Sequence, residues 1–119
     1  MQLVASQAVG QPFLVFMKCC SMKIWLDDER PMPAGFDCHV KTAAGAIELL
    51  AAGGVTAISL DHDLGDDVGT GYDVACYIEQ GAYDGTLSPV EVTIHSANPV
   101  GRERMQNAIN KARLFWSQK

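Results

Sequence analysis

Three runs of ionisable residues each follow an apolar segment. Asp27-Asp28-Glu29-Arg30 follows Ile24-Trp25-Leu26, Asp61-His62-Asp63-Leu64-Gly65-Asp66-Asp67 follows Ile58-Ser59-Leu60, and His95-Ser96-Ala97-Asn98 follows Val92-Thr93-Ile94. Carboxylates gathered this closely raise one another's pKa. A hard divalent cation relieves the repulsion, and Mg²⁺ typically takes one or two carboxylates, water and a substrate phosphate. Asp27, Asp28 and Asp61 are therefore candidate ligands for Mg²⁺ or Mn²⁺. Asp61, Asp63 and His95 are the candidate catalytic groups. His95 titrates near neutral pH and suits a general acid for a departing sugar oxygen. Ser96 and Asn98 stand where a strand meets a helix N-terminus, a place that favours an anion. Arg102, one turn later, adds charge-assisted bonds to phosphate. Asp66-Asp67 reads as a solvated loop. If Asp61-His62-Asp63 continues as extended chain, His62 points away from both carboxylates.

These tips need strands behind them. The first strand is expected at Lys23 to Leu26 and the second at Cys38 to Lys41. Only about ten residues lie between them, the lower limit for a parallel crossover. The first helix of a regular α/β unit is thus reduced or missing. Thr42 is a plausible N-cap for a helix carrying Ala43, Ala46, Ile47 and Leu50, ended by Gly53-Gly54. The third strand is Val55 to Leu60. Thr70-Gly71-Tyr72-Asp73 resembles a capping box and opens a helix running through about Gln80. The fourth strand is Val90 to His95. Asn98-Pro99 starts the last helix, whose inner face carries Met105, Ala108, Ile109, Ala112 and Phe115. The fourth strand alternates apolar and polar, whereas the first and third are more continuously apolar. Continuous runs mark central strands, so the expected order is 2-1-3-4. In such a sheet ligands bind beyond the C-terminal strand ends, where all three polar runs lie.

The chain of 119 residues is sized for one domain. Its net charge of −5 argues against non-specific duplex binding, which needs a basic face. The four cysteines form no C-x-x-C pair, so a zinc ribbon or thioredoxin-like motif is not expected. Reduced cysteines favour the cytoplasm. Residues 1–21 read as a poorly ordered extension, and residues 22–119 as the domain. The apolar run Phe13 to Met17 is too short to span a bilayer, which needs about 20 residues, so no membrane association is expected. Trp116 is expected near the surface, and oligomeric state is left open.

The acidic pair after the first strand, the aspartate ending the third, and the hydroxyl residue before Ala97 resemble the response-regulator receiver domain. On that likeness Asp27 and Asp28 match its metal-binding pair, Asp61 its phosphoacceptor and Ser96 its switch hydroxyl. The receiver's fifth strand, with its lysine, has no counterpart here. The chain is more similar to a divergent branch, the cyclic-phosphate processing receiver domain. Lys23-Ile24-Trp25-Leu26-Asp27-Asp28-Glu29-Arg30-Pro31, Leu60-Asp61-His62-Asp63-Leu64 and His95-Ser96-Ala97-Asn98-Pro99-Val100-Gly101-Arg102 resemble its three motifs, within residues 22–113. The resemblance implies a small, doubly wound, receiver-like parallel sheet. It also implies a metal-assisted phosphoesterase-like activity on cyclic phosphates, as on RNA ends or nucleotides. Arg30, His62, Ser96, Asn98 and Arg102 are then the candidate substrate-binding residues. The alternative is a degenerate receiver-like module that binds or signals without turnover.

Overall fold

The computed structural model describes residues 21–65 and 69–118. The extension, apart from Ser21, lies outside them, as do Asp66 and Asp67. The elements run β1 (Met22–Leu26), β2 (Cys38–Val40), α1 (Ala43–Ala52), β3 (Val55–Leu60), α2 (Gly71–Asp84), β4 (Glu91–Ile94) and α3 (Pro99–Ser117). The four strands form one parallel sheet in the order β2-β1-β3-β4, as the pattern of alternation indicated. No helix separates β1 from β2. The receiver-like α/β architecture is thus present with its first helix replaced by a loop.

Side-chain parity decides which sheet face becomes the core. Ile24, Leu26, Ile58, Leu60 and Val92 are buried with Ala46 and Leu50 of α1, Val74 and Ile78 of α2, and Met105 and Ile109 of α3. Each such aliphatic side chain contributes about 1.5–3 kcal/mol by leaving water. Successive right-handed crossovers in one direction put α1 and α2 on the same face, and α3 packs beside α2. The opposite face carries Trp25 and Ser59 in register. Loop 27–37 shields its upper end, where Phe36 meets Trp25 edge-on at 5.2 Å and the indole N–H donates to the Arg30 carbonyl at 3.3 Å.

The caps explain where the helices begin. Thr42 accepts from the Gly45 N–H, Thr70 and Asp73 form a reciprocal capping box, and Asn98 accepts from the Gly101 N–H ahead of Pro99. Such caps satisfy backbone donors that a helix start otherwise leaves open. The expected end of α2 near Gln80 is corrected: the helix runs four residues further, to Asp84. Gly81 is not a stop. It is buried in the helix because a side chain there would meet the Leu87 Cβ at 2.7 Å. The true cap is Gly85, at φ +79°, a conformation only glycine adopts freely. Trp116 is half-buried and donates to the Leu87 carbonyl at 2.9 Å. Cys38 and Cys76 are free thiols, and no described helix is long and apolar enough to cross a membrane.

Candidate functional site

The parallel ladder runs one residue past three strands. The Asp27 N–H donates to the Val40 carbonyl, the Asp61 N–H to Leu26, and the His95 N–H to Leu60, at 3.1, 3.0 and 2.9 Å. Leu26 pairs with Leu60, and Leu60 with Ile94. Asp27, Asp61 and His95 therefore form the next row of the sheet, each held by its own backbone bond. One ligand atom from each lies within 4.8 Å of the others.

Asp27 is 1% exposed and fully engaged. Its Oδ1 accepts from the Glu29 and Arg30 N–H groups at 2.8 and 2.9 Å, which turns the loop away from β1. Its Oδ2 accepts from His95 Nε2 at 3.0 Å. Burial pushes this carboxyl up, but the two backbone donors and His95 outweigh it and hold the pKa below its ordinary value.

Asp61 has the opposite balance. It is 9% exposed, and its Oδ1 accepts one bond, from the His62 N–H at 2.9 Å. Oδ2 has no donor among the described residues. Burial and the neighbouring Asp27 charge push its pKa up, against the His62 N–H. In a residue this little exposed, a carboxylate oxygen without a protein donor is costly.

His95 lies across β3. Its Nδ1 meets the Ser59 hydroxyl at 2.7 Å, and its ring stacks on Trp25 at 3.8 Å with the planes 7° apart. A carboxylate only accepts, so Nε2 carries the proton it shares with Asp27, and the Ser59 O–H donates to Nδ1. Burial lowers the pKa of His95 against the pull of Asp27, which favours this neutral tautomer. Both ring nitrogens thereby have partners within the protein.

Asp27, Asp28, Glu29, Arg30, Asp61, Asp63, Gly65 and Ala97 line a cleft of about 350 Å³ at this edge of the sheet, small but within the range of ligand sites. Asp28 shares the cleft wall but lies outside the 4.8 Å set. Arg30 bridges the opening: its guanidinium donates to the His95 carbonyl at 2.9 Å and sits 3.7 Å from Asp27 Oδ2. Its side chain is half-exposed at the rim.

Asp63 is exposed at the mouth. His62 Nδ1 lies 2.9 Å from it, and this bond, helped by Asn98, keeps the Asp63 pKa low against a slight burial effect. The expectation that His62 points away from both carboxylates is corrected here. Strand geometry ends at Leu60, so the alternation stops, and the His62 ring packs on Gly101 so closely that a Cβ there would overlap it. Ser96 is buried and accepts from the Asn98 N–H at 3.0 Å, while Asn98 caps α3. Both support the cleft wall. Arg102 lines a separate hollow with Pro99, Glu103, Gln106 and Asn107.

Sequence reading missed Ser59 and Trp25 as supports of the site. A small polar residue inside the apolar third strand was a usable signal for Ser59. The stack of Trp25 on His95 joins residues far apart in the chain and had none.

The family profile of the cyclic-phosphate processing receiver domain matches residues 22–111. No curated protein and no solved structure gives a match.

Proposed function

From the chain's membership of the cyclic-phosphate processing receiver domain family, we propose that the cleft opens cyclic phosphates by metal-dependent hydrolysis, on nucleotides or RNA ends. The observation that carries this reading is Asp61: buried, one oxygen without a donor, beside a second buried carboxylate. That arrangement fits a divalent cation, Mg²⁺ or Mn²⁺, held by Asp61 and Asp27 with Asp28 on the cleft wall. Such an ion supplies polarisation of a phosphoryl oxygen and a water nucleophile.

The chain's own residues bind and orient. Arg30 has guanidinium donors left for a phosphate oxygen after its bond to the His95 carbonyl. Asp63, exposed at the mouth with its pKa lowered by His62, would accept a proton from incoming water. In the metal-free protein His95 donates a hydrogen bond from Nε2–H to Asp27, which steadies that carboxylate.

The test is a panel of cyclic nucleotides and cyclic-phosphate RNA ends, each with and without Mg²⁺ or Mn²⁺. Ring opening that depends on the cation is the expected result. The competing reading is a receiver-like binding or signalling module, favoured by the position of Asp61 at the end of the central strand. A small phosphodonor should leave Asp61 unmodified, because among the described residues no lysine lines the cleft. A stable phosphoryl group on Asp61, with no turnover across the panel, would overturn hydrolysis in favour of signalling.

A further inference from the structure

The gap between His95 and Asp27 has the dimensions of a metal edge. Two ligands on one octahedral ion, each at about 2.1 Å, lie about 3 Å apart when adjacent. His95 Nε2 and Asp27 Oδ2 are 3.0 Å apart, with Asp61 completing a set whose ligand atoms all lie within 4.8 Å. Asp61, 9% exposed, contributes an oxygen with no donor among the described residues. A cation bound to both atoms would displace the shared proton and sit to one side of the line between them, towards Asp61.

We infer that His95 is the third ligand of the cation, through Nε2, and that Ser59 is the residue that makes this possible. When an ion binds Nε2, the ring proton has to sit on Nδ1. The partner of Nδ1 must then accept where before it donated. A carbonyl could not donate to Nδ1 in the metal-free state. A hydroxyl does both, and Ser59 Oγ lies 2.7 Å away. The tautomer changes with no change in the ring's charge. Trp25, stacked on the ring, keeps it in plane through the exchange. Ser59 is a positioning residue, comparable to the hydrogen-bonded partners that orient metal-bound imidazoles elsewhere.

A donor set of two carboxylates and one imidazole is softer than an all-oxygen site. It shifts preference from Mg²⁺ towards Mn²⁺ and later transition metals. The inference rests on the cation site of the proposed function but not on turnover.

The experiment uses the full chain with Mn²⁺ alone, followed by calorimetry and pulsed electron paramagnetic resonance. The wild type is expected to bind Mn²⁺ at least about tenfold more tightly than Mg²⁺ and to show a directly bound nitrogen, altered by ¹⁵N-histidine labelling. The chain has three histidines, so the nitrogen can be assigned. It should persist in His39→Gln and His62→Gln and vanish in His95→Gln. If His95→Gln does not fold, persistence in the other two makes the assignment by elimination. Ser59→Ala should weaken Mn²⁺ by roughly 10–100-fold while keeping the nitrogen signal. Absence of Mn²⁺ binding, Mn²⁺ bound without nitrogen, or a nitrogen signal surviving in His95→Gln would each overturn the assignment. Bound nitrogen without ring opening would leave it standing and overturn the hydrolytic reading instead.

Discussion

Without added cation, Asp61→Asn is expected to melt a few degrees above the wild type at neutral pH, and to lose the rise that Mn²⁺ gives the wild type. The Asp61 pKa is raised in the folded protein by burial and by Asp27. A raised carboxyl favours folding below its unfolded value, about 3.9, and that contribution is lost as pH climbs through the folded value. Near neutral pH the wild type therefore carries the penalty of a buried charge. Asparagine carries none and still accepts the His62 N–H. In a domain of this size each kcal/mol moves the melting temperature by roughly 4–8 °C. The gap between variant and wild type should close in acid, below the ordinary carboxylate range. Asp27 acts in the other direction. Its lowered pKa gives stability that is present above the ordinary value and disappears as pH falls through the folded one. With Mn²⁺ at 100 times its dissociation constant the wild type gains about 2.7 kcal/mol, which Asp61→Asn should forfeit. Differential scanning calorimetry at pH 3 to 8, with and without Mn²⁺, checks both parts. A variant that melts below the wild type at neutral pH would contradict the claim that Asp61 is strained without a cation.

Gly71→Ala is expected to cost roughly 3 kcal/mol, the upper part of the range for overpacked sites, and to lower the melting temperature by about 10 °C or more. A Cβ at position 71 would overlap the Asp61 carbonyl oxygen and lie 2.9 Å from Met105 Sδ. The sulfur can move; the carbonyl belongs to the backbone of the site and cannot. Alanine's better helix propensity, at most about 1 kcal/mol, offsets part of this. The first turn of α2 is pressed against the residue that ends β3, so this substitution should also disturb cation binding. Circular dichroism melts and Mn²⁺ calorimetry on one preparation test it. Melting within about 2 °C of the wild type, under one-half kcal/mol on that scale, would show that α2 does not approach Asp61 this closely.

The sheet was readable because its signals are local. Alternation along Glu91–Ile94 against the apolar runs of β1 and β3 fixed the strand order, and Thr42, Thr70 with Asp73, and Asn98 with Pro99 marked the helix starts. The end of α2 was not readable. Gly81 and Gly85 look alike in sequence, and only the packing of Leu87 tells them apart. The site was half legible. Acid directly after an apolar strand identified Asp27 and Asp61. The bond of His95 to Ser59 and its stack on Trp25 arise only through the register of three strands. His62 was misjudged because alternation was carried beyond Leu60, the end of β3.

Asp27 and His95 are 68 positions apart, and Ser59 and His95 are 36 apart. Bringing such distant positions together costs chain entropy before any contact forms, and parallel pairing of this kind is slow. The three donors meet only when β1, β3 and β4 are all aligned. A cation that needs all three recognises the finished sheet and nothing earlier on the pathway. Its stabilisation should therefore fall on the unfolding rate. Stopped-flow traces with and without Mn²⁺ should show slower unfolding and unchanged folding; faster folding would mean the donors already converge in the transition state. The supply of metal would then govern how long each molecule stays folded, and have little to do with how quickly it folds.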